Sequence, residues 1–267
     1  MERLQRGTVE HYEDAALYDH EYRRRRADVN FYRTQARRVG GEVLELGAGT
    51  GRLLVPLVRD GHVVAGLDLS QPMLRRCTER LRRLKPQVRT RARLVRGDFR
   101  QFTLGRRFPL IVCPFNAMMH LYTREDLARF FACVRQHLTA EGEFAFDVLN
   151  PDLGWLMRDP TKRWARTRFT HPATGKAYYY STNHIYDPVT QIAWIRLFYE
   201  PVENPSGRIP RTQVVHLAHR QLFPEELAAL VEHHGFVVVS RHGGFSGEPF
   251  AGDSDSQVYR CRMSGDV

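Results

Sequence analysis

Residues Glu42–Leu46 (EVLEL) run directly into Gly47-Ala48-Gly49-Thr50-Gly51, and this stretch decides the fold. The apolar run reads as a buried strand, and Arg52–Arg59 (RLLVPLVR) beyond the glycines reads as a helix stopped by Gly61. A strand, a glycine turn and a helix start together form a ligand cradle, because glycine lets the backbone approach a ligand closely and helix N–H groups face it. The spacing is GxGxG rather than the GxGxxG of dinucleotide folds, and Arg52 stands where that fingerprint needs a small residue. Glu45 lies two residues before Gly47. A carboxylate there repels a pyrophosphate but suits a ligand that carries an ammonium group.

Working outward, His62–Leu69 reads as a second strand, followed by Ser70 as a helix N-cap and Pro72 near the first helical position. Met73, Leu74, Cys77, Leu81 and Leu84 then recur at helical spacing. Arg93–Arg96 and Leu110–Cys113 give a third and a fourth strand, and Glu143–Leu149 (EFAFDVL) gives a fifth. Between them Thr123-x-x-Asp126 opens a helix striped by Leu127, Phe130, Phe131, Val134 and Leu138. Short apolar strands alternating with amphipathic helices predict an α/β, Rossmann-like parallel sheet built by right-handed crossovers.

The texture changes after Asn150-Pro151. Tyr178–Tyr186 and Gln191–Tyr199 are rich in aromatic and β-branched residues and flank the turn Asp187–Thr190. Thr212–Leu222 follows a Pro/Gly/Ser-rich loop at Glu203–Pro210, so residues 151–222 read as an antiparallel β insertion. The α/β pattern resumes with a helix over Pro224–His233 and strands at Phe236–Ser240 and Val258–Met263. Residues 9–38 look helical and basic, which makes 1–40 an N-terminal helical cap on a single domain spanning 1–267.

Composition narrows the function. An apolar content of 42% fits a packed core, and no apolar stretch is long enough to span a bilayer. The start, MERLQRGTVEHYEDAAL, lacks the apolar segment of a signal peptide, so a cytoplasmic protein without membrane attachment is expected. Cys77, Cys113, Cys133 and Cys261 are scattered without metal-ligand spacing and read as buried thiols, with no metal site. The net charge of +10 falls almost wholly in the first hundred residues, but all except three of the 40 basic residues are arginine. That bias weakens charge as an argument for nucleic acid.

Two further carboxylates sharpen the ligand. Asp68 ends the second strand, where an acid can accept both hydroxyls of a ribose. Asp98 follows Gly97 after the third strand, where an adenine would lie, and Phe99 can stack on that ring. ELGAGTG, GLDLS and GDF in this order and spacing resemble the motifs of the class I S-adenosylmethionine-dependent methyltransferases. The resemblance covers residues 42–150. It implies a seven-stranded sheet with an antiparallel last strand and S-adenosylmethionine as cofactor. Glu45, Gly47, Ala48, Gly49, Gly51, Asp68, Leu69, Met73, Gly97, Asp98, Phe99 and Pro114 are the residues expected to line that cofactor, with Tyr18 from the N-terminal segment.

Methyl transfer from a sulfonium mainly requires alignment of nucleophile, methyl carbon and sulfur. A protonated amine also needs a base, and His120 in Pro114–Leu121, after the fourth strand, is the candidate. This segment lacks the NPPY sequence and the Pro-Cys motif of many nucleic-acid methyltransferases. Tyr18-Asp19-x-x-Tyr22 before the glycine loop and the β insertion are similar to the small-molecule N-methyltransferases that act on amino sugars or glycine. That resemblance implies a catalytic and cofactor-covering role for Tyr18, and an insertion that forms an acceptor pocket or a homodimer contact. Arg23–Arg26 suit an anionic acceptor, while Arg80, Arg82, Arg83, Lys85, Arg89 and Arg91 should lie on the far side from the site, in solvent. The reading is therefore a methyltransferase for a small-molecule nitrogen, ahead of oxygen. An RNA methyltransferase and a S-adenosylmethionine-binding protein without transfer are the alternatives.

Overall fold

The computed structural model describes residues 2–202 and 211–265, so the loop read at Glu203–Pro210 lies outside the described residues. The chain divides into two compact units, Met1–Arg23 with Pro151–Gln221, and Arg24–Asn150 with Leu222–Val267.

In chain order, the first unit opens with α1 (Glu2–Val9), a 3₁₀ turn over Glu10–Tyr12, and α2 (Ala15–Tyr22). Asp14 caps α2, its Oδ1 accepting the Ala16 and Leu17 N–H groups at 3.1 and 2.8 Å. The second unit then supplies α3 (Ala27–Val39), β1 (Val43–Leu46), α4 (Leu54–Arg59), β2 (Val64–Asp68), α5 (Gln71–Arg82), α6 (Pro86–Arg89), β3 (Ala92–Arg96), β4 (Phe108–Cys113), α7 (Arg124–His137) and β5 (Leu138–Leu149). The first unit resumes with α8 (Leu153–Leu156), β6 (Trp164–Thr170), β7 (Ala177–Asp187), β8 (Ile192–Pro201) and β9 (Gln213–Arg220). The chain finishes in the second unit with α9 (Pro224–His233), β10 (Phe236–His242) and β11 (Ser256–Met263).

The second unit carries a seven-stranded sheet in the order β10-β11-β5-β4-β1-β2-β3. β1 pairs in parallel with β2 and β4, and β11 runs antiparallel to both β10 and β5, as expected for this Rossmann-like fold. Two apolar layers cover it. Phe130, Phe131, Phe144, Phe146 and Leu227 belong to one, and Tyr32, Val55, Leu57, Cys77 and Leu81 to the other. Strands covered on both faces read as near-continuous apolar runs, which is how β1 and β4 appear in the sequence. The helix after the glycines starts at Leu54 rather than Arg52, because Gly51–Leu53 are still turning.

The first unit holds an antiparallel sheet in the order β6-β7-β8-β9. Its hairpin β7–β8 turns where Asp187 Oδ1 accepts the Val189 N–H at 3.0 Å. The helical stretch read over 9–38 is broken at 13–14 and again at 23–26, and the residues on either side of the second break fall in different units. Among the described residues no helix is long and apolar enough to cross a membrane.

Candidate active site

Ligands of parallel α/β sheets sit beyond the carboxyl ends of the strands, and most of the residues singled out in the sequence gather there in the second unit. The glycine loop is tied to β2 at its base: the Gly47 and Ala48 N–H groups both donate to the Leu67 carbonyl, at 2.8 and 3.0 Å. Gly47, Gly49 and Gly51 all turn with positive φ. Ala48 is buried, and a Cβ built on Gly49 would stop 3.5 Å from Met73 Cε, placing buried Met73 under the loop.

Glu45 faces this loop from the end of β1, paired with Gly66 and Val112 in the sheet and only 2% exposed. Its Oε2 has no hydrogen-bond partner. Burial pushes its carboxyl well above the usual range; Arg52 opposes the shift, and Asp68 and Asp28 add to it. Asp68 ends β2, with Oδ2 accepting the Gly49 N–H and Oδ1 the Ser70 N–H, each at 2.7 Å. Burial raises this carboxyl too, against those two bonds. Leu69 beside it is 48% exposed, an apolar surface at the site's edge. Pro114 is buried at the end of β4, and a Cβ on Gly47 would reach 3.0 Å from Ala117 Cβ, so the segment after β4 meets the glycine loop.

Three expectations change. Asp98 is held by Arg100, whose Nη2 donates to Asp98 Oδ2 at 2.6 Å and whose Nη1 donates to Asp126 Oδ1 at 2.8 Å. These bonds outweigh burial and lower the Asp98 carboxyl. Phe99 packs edge-on against Phe130 with ring centres 5.4 Å apart, at the margin of the core. Arg80, expected to point into solvent, instead donates to the Thr50 carbonyl and hydroxyl, both at 3.1 Å, and so braces the glycine loop.

His120 closes a 3₁₀ turn over Ala117–His120, and its Nδ1 lies 3.0 Å from the Tyr122 hydroxyl. Tyr18 belongs to the first unit, among His11, Tyr12 and Tyr22 at ring distances of 5.8, 5.9 and 4.8 Å. In that unit Tyr18, Glu21, His171, Tyr178 and Tyr199 line a cleft of about 280 Å³. The Tyr199 hydroxyl donates to Glu21 Oε1 at 2.7 Å, and burial lifts the Glu21 carboxyl to about 7 against that bond. His11, buried nearby, falls to about 4.

Sequence reasoning missed a buried ionic set in the second unit. Arg52 pairs with Asp28 through Nη1 and Oδ1 at 2.9 Å and lays its guanidinium 4.1 Å from the Phe115 ring centre. Asp147, on β5, accepts from the Tyr32 hydroxyl at 2.6 Å. The two acids in the otherwise apolar EFAFDVL, Glu143 and Asp147, were the available signal, since a buried charge must have partners. Arg24, Arg25, Arg26, Phe115, Asn116 and Asp147 line a second-unit cleft of about 400 Å³.

These residues fit S-adenosylmethionine. The unpartnered Glu45 oxygen calls for a cation, as the methionine ammonium would supply, and the two Asp68 oxygens keep lone pairs for a ribose diol.

Comparison with known proteins agrees. Residues 43–142 match a family described as methyltransferase domain. The chain is 33% identical over 130 residues to dTDP-3-amino-3,4,6-trideoxy-alpha-D-glucopyranose N,N-dimethyltransferase of Streptomyces venezuelae, covering 47% of this chain and 51% of that one. It is 31% identical over 125 residues to glycine/sarcosine N-methyltransferase of Aphanothece halophytica, covering 46% of each. The matches thus span about half the length of these curated relatives. Among solved structures, the CcbJ methyltransferase of Streptomyces caelestis superposes with a TM-score of 0.73 at 23% identity, over 89% of this chain and 96% of that one. The glycopeptide N-methyltransferase MtfA in complex with S-adenosylmethionine gives 0.57 at 25%, over 89% and 93%. The glycine loop, the strand order and the matched family together make residues 43–142 similar to the methyltransferase domains of S-adenosylmethionine-dependent enzymes.

Proposed function

We propose that this protein moves the methyl group of S-adenosylmethionine to a nitrogen of a small-molecule acceptor. The observation that carries the reading is Glu45: a buried carboxylate oxygen without a donor, beside a glycine loop, is costly unless a cationic ligand completes it. Around it, Asp68 would hold the ribose, with Leu69 and Met73 lining the adenine side and the glycine loop (Gly47, Ala48, Gly49, Gly51) cradling the ligand. Asp98, Phe99 and Gly97 would close the far edge, Asp98 through its Arg100 pair, and Pro114 would back the methionine moiety. The bound cofactor supplies an electrophilic methyl group on sulfur. His120 would take the proton of the acceptor nitrogen, a step suited to an imidazole near neutral pH.

Nitrogen as the target is supported by the N-methyltransferases among the relatives, which act on amino sugars and on glycine by their names. Arg24, Arg25 and Arg26 support an acceptor with an anionic group, since they place three guanidinium-bearing residues along the cleft that Phe115 and Asn116 line.

The test is a panel of small amines, with and without a phosphate, incubated with isotopically labelled S-adenosylmethionine and read by mass spectrometry; transfer RNA is included. Label on the nitrogen of an amine, strongest for a phosphorylated one, is expected. Label only on RNA, or on no acceptor despite tight S-adenosylmethionine binding, would overturn the reading.

A further inference from the structure

β4 leaves the sheet through Pro114 into two consecutive residues of left-handed backbone, Phe115 (φ +60°) and Asn116 (φ +64°). Neither is glycine, and such backbone persists only where its surroundings hold it. What holds them is Asp147. It sits on β5, 2% exposed, opposite Val258 of β11. Its Oδ1 accepts the Phe115 N–H at 2.8 Å and the Tyr32 hydroxyl at 2.6 Å, and its Oδ2 accepts the Asn116 N–H at 3.2 Å. Three donors converge on one carboxyl, and its ionised form, which only accepts, holds them most strongly. Arg52 lies over the Phe115 ring, 4.1 Å from its centre. The turn so fixed contributes Phe115 and Asn116 to the cleft shared with Arg24–Arg26.

We propose that Asp147 is a positioning residue for the methyl acceptor: its ionised carboxylate clamps the Phe115–Asn116 turn in the form that lines the cleft, and protonation releases it. What the turn serves rests on the proposed N-methyl transfer; the clamp itself does not. On protonation the carboxyl loses its charge, the backbone N–H bonds to it lose their charge-assisted strength, and the oxygen that takes the proton becomes a poorer acceptor. Burial lifts this carboxyl to about 6, while the Tyr32 and Phe115 bonds oppose the shift. The charged groups facing it are Asp28 on α3, which raises it further, and Arg52 after β1, which lowers it. Tyr32 on α3 and Cys113 on β4 also face it, and burial keeps both neutral in this range. Arg24, Arg25 and Arg26 share its cleft, and Val258 on β11 brings no charge. Release therefore falls near pH 6, whereas an ordinary aspartate would stay ionised to about pH 4.

The test follows amide hydrogen exchange of Phe115 and Asn116 in the full chain between about pH 5 and pH 8, expressed as protection factors. It is paired with S-adenosylmethionine affinity and with kcat/KM for an amine acceptor. In the unaltered protein, protection of these two amides is expected to fall at least about tenfold as the pH drops through 6. Asp147→Asn should show low protection at every pH, a loss of at least about tenfold in kcat/KM for the acceptor, and S-adenosylmethionine affinity within about threefold of the original. Tyr32→Phe, which removes one donor and keeps the ring, should shift the midpoint of protection loss to higher pH. Unchanged protection in Asp147→Asn, or an equal loss of cofactor affinity and acceptor kcat/KM, would overturn the clamp. If no acceptor is methylated by the unaltered protein, the functional reading fails while the exchange measurement still decides the clamp.

Discussion

Glu45 and Asp147 are both acids on inner strands of one sheet and equally buried, yet one has an oxygen without a donor and the other has three donors. The first is unsatisfied as it stands and is suited to receive a cation; the second is complete and suited to hold backbone. Asp68 stands between these cases, since two backbone amides use only part of its capacity. Asp68→Ala is expected to weaken S-adenosylmethionine binding at least about tenfold, or about 1.4 kcal/mol, and calorimetry giving unchanged affinity would remove Asp68 from the site. His120→Ala should lower turnover more than cofactor affinity, and equal losses would mean that its contact with Tyr122 is structural. Glu45 and Asp68 were legible because each sits at a fixed offset from glycines within a short span. Asp147 was not, because its bonds reach Phe115 and Tyr32, 32 and 115 positions away, and no local pattern encodes such pairings.

Elements were read most easily where burial on both faces leaves an unbroken apolar run, as in β1 and β4. β6 (WARTRFT) escaped notice for the opposite reason: most of it is exposed, so its arginines and threonines carry no alternation. The four-residue helices α6 and α8 are too short to show any period. At the glycine loop, two effects can be separated. Gly51 has φ +77°, and a Cβ there would stand 2.5 Å from Cys77 Sγ on α5, whereas Gly40 has φ +75° with nothing within 4 Å. Gly40 has ψ 179°, a backbone region almost reserved for glycine, so Gly40→Ala should cost about 1–3 kcal/mol from backbone strain alone. Gly51→Ala adds overpacking and should cost about 2–5 kcal/mol in total. Denaturant melts compare the two directly, and equal losses would show that α5 yields without resistance.

For the molecule as a whole, the arginine excess has a structural share that charge counting could not reveal. Arg33 and Arg37 pair with Asp60, Arg52 with Asp28, and Arg100 with Asp98 and Asp126. The largest such centre is Glu143, 2% exposed on its side chain and met by Arg38 of α3 and by Arg260 and Arg262 of β11. Its bonds and charges from these arginines overcome burial and hold the carboxyl near 2. A carboxyl lowered in the folded state stabilises the fold above its unfolded value, and that gain is lost as pH falls from about 4.5 toward 2. Glu143→Gln should therefore destabilise the protein by about 1–3 kcal/mol at pH 7. The difference should shrink steadily below pH 4.5 in urea titrations; a difference independent of pH would mean that shape rather than charge is lost.

Neither compact unit is a continuous stretch of chain, and this bears on how the protein is made. Glu10, near the start, accepts the His216 N–H at 2.9 Å, a partner that leaves the ribosome only after residues 24–150 and three strands of the first unit's sheet. β5 likewise emerges long before β11, which finally covers its open edge. Such distant pairings close slowly, and an uncovered strand edge is adhesive while it waits. The nascent chain thus passes through a long interval in which its first helices and its central sheet are both unfinished, so the closing β-strand governs when a safe, non-sticky product first exists.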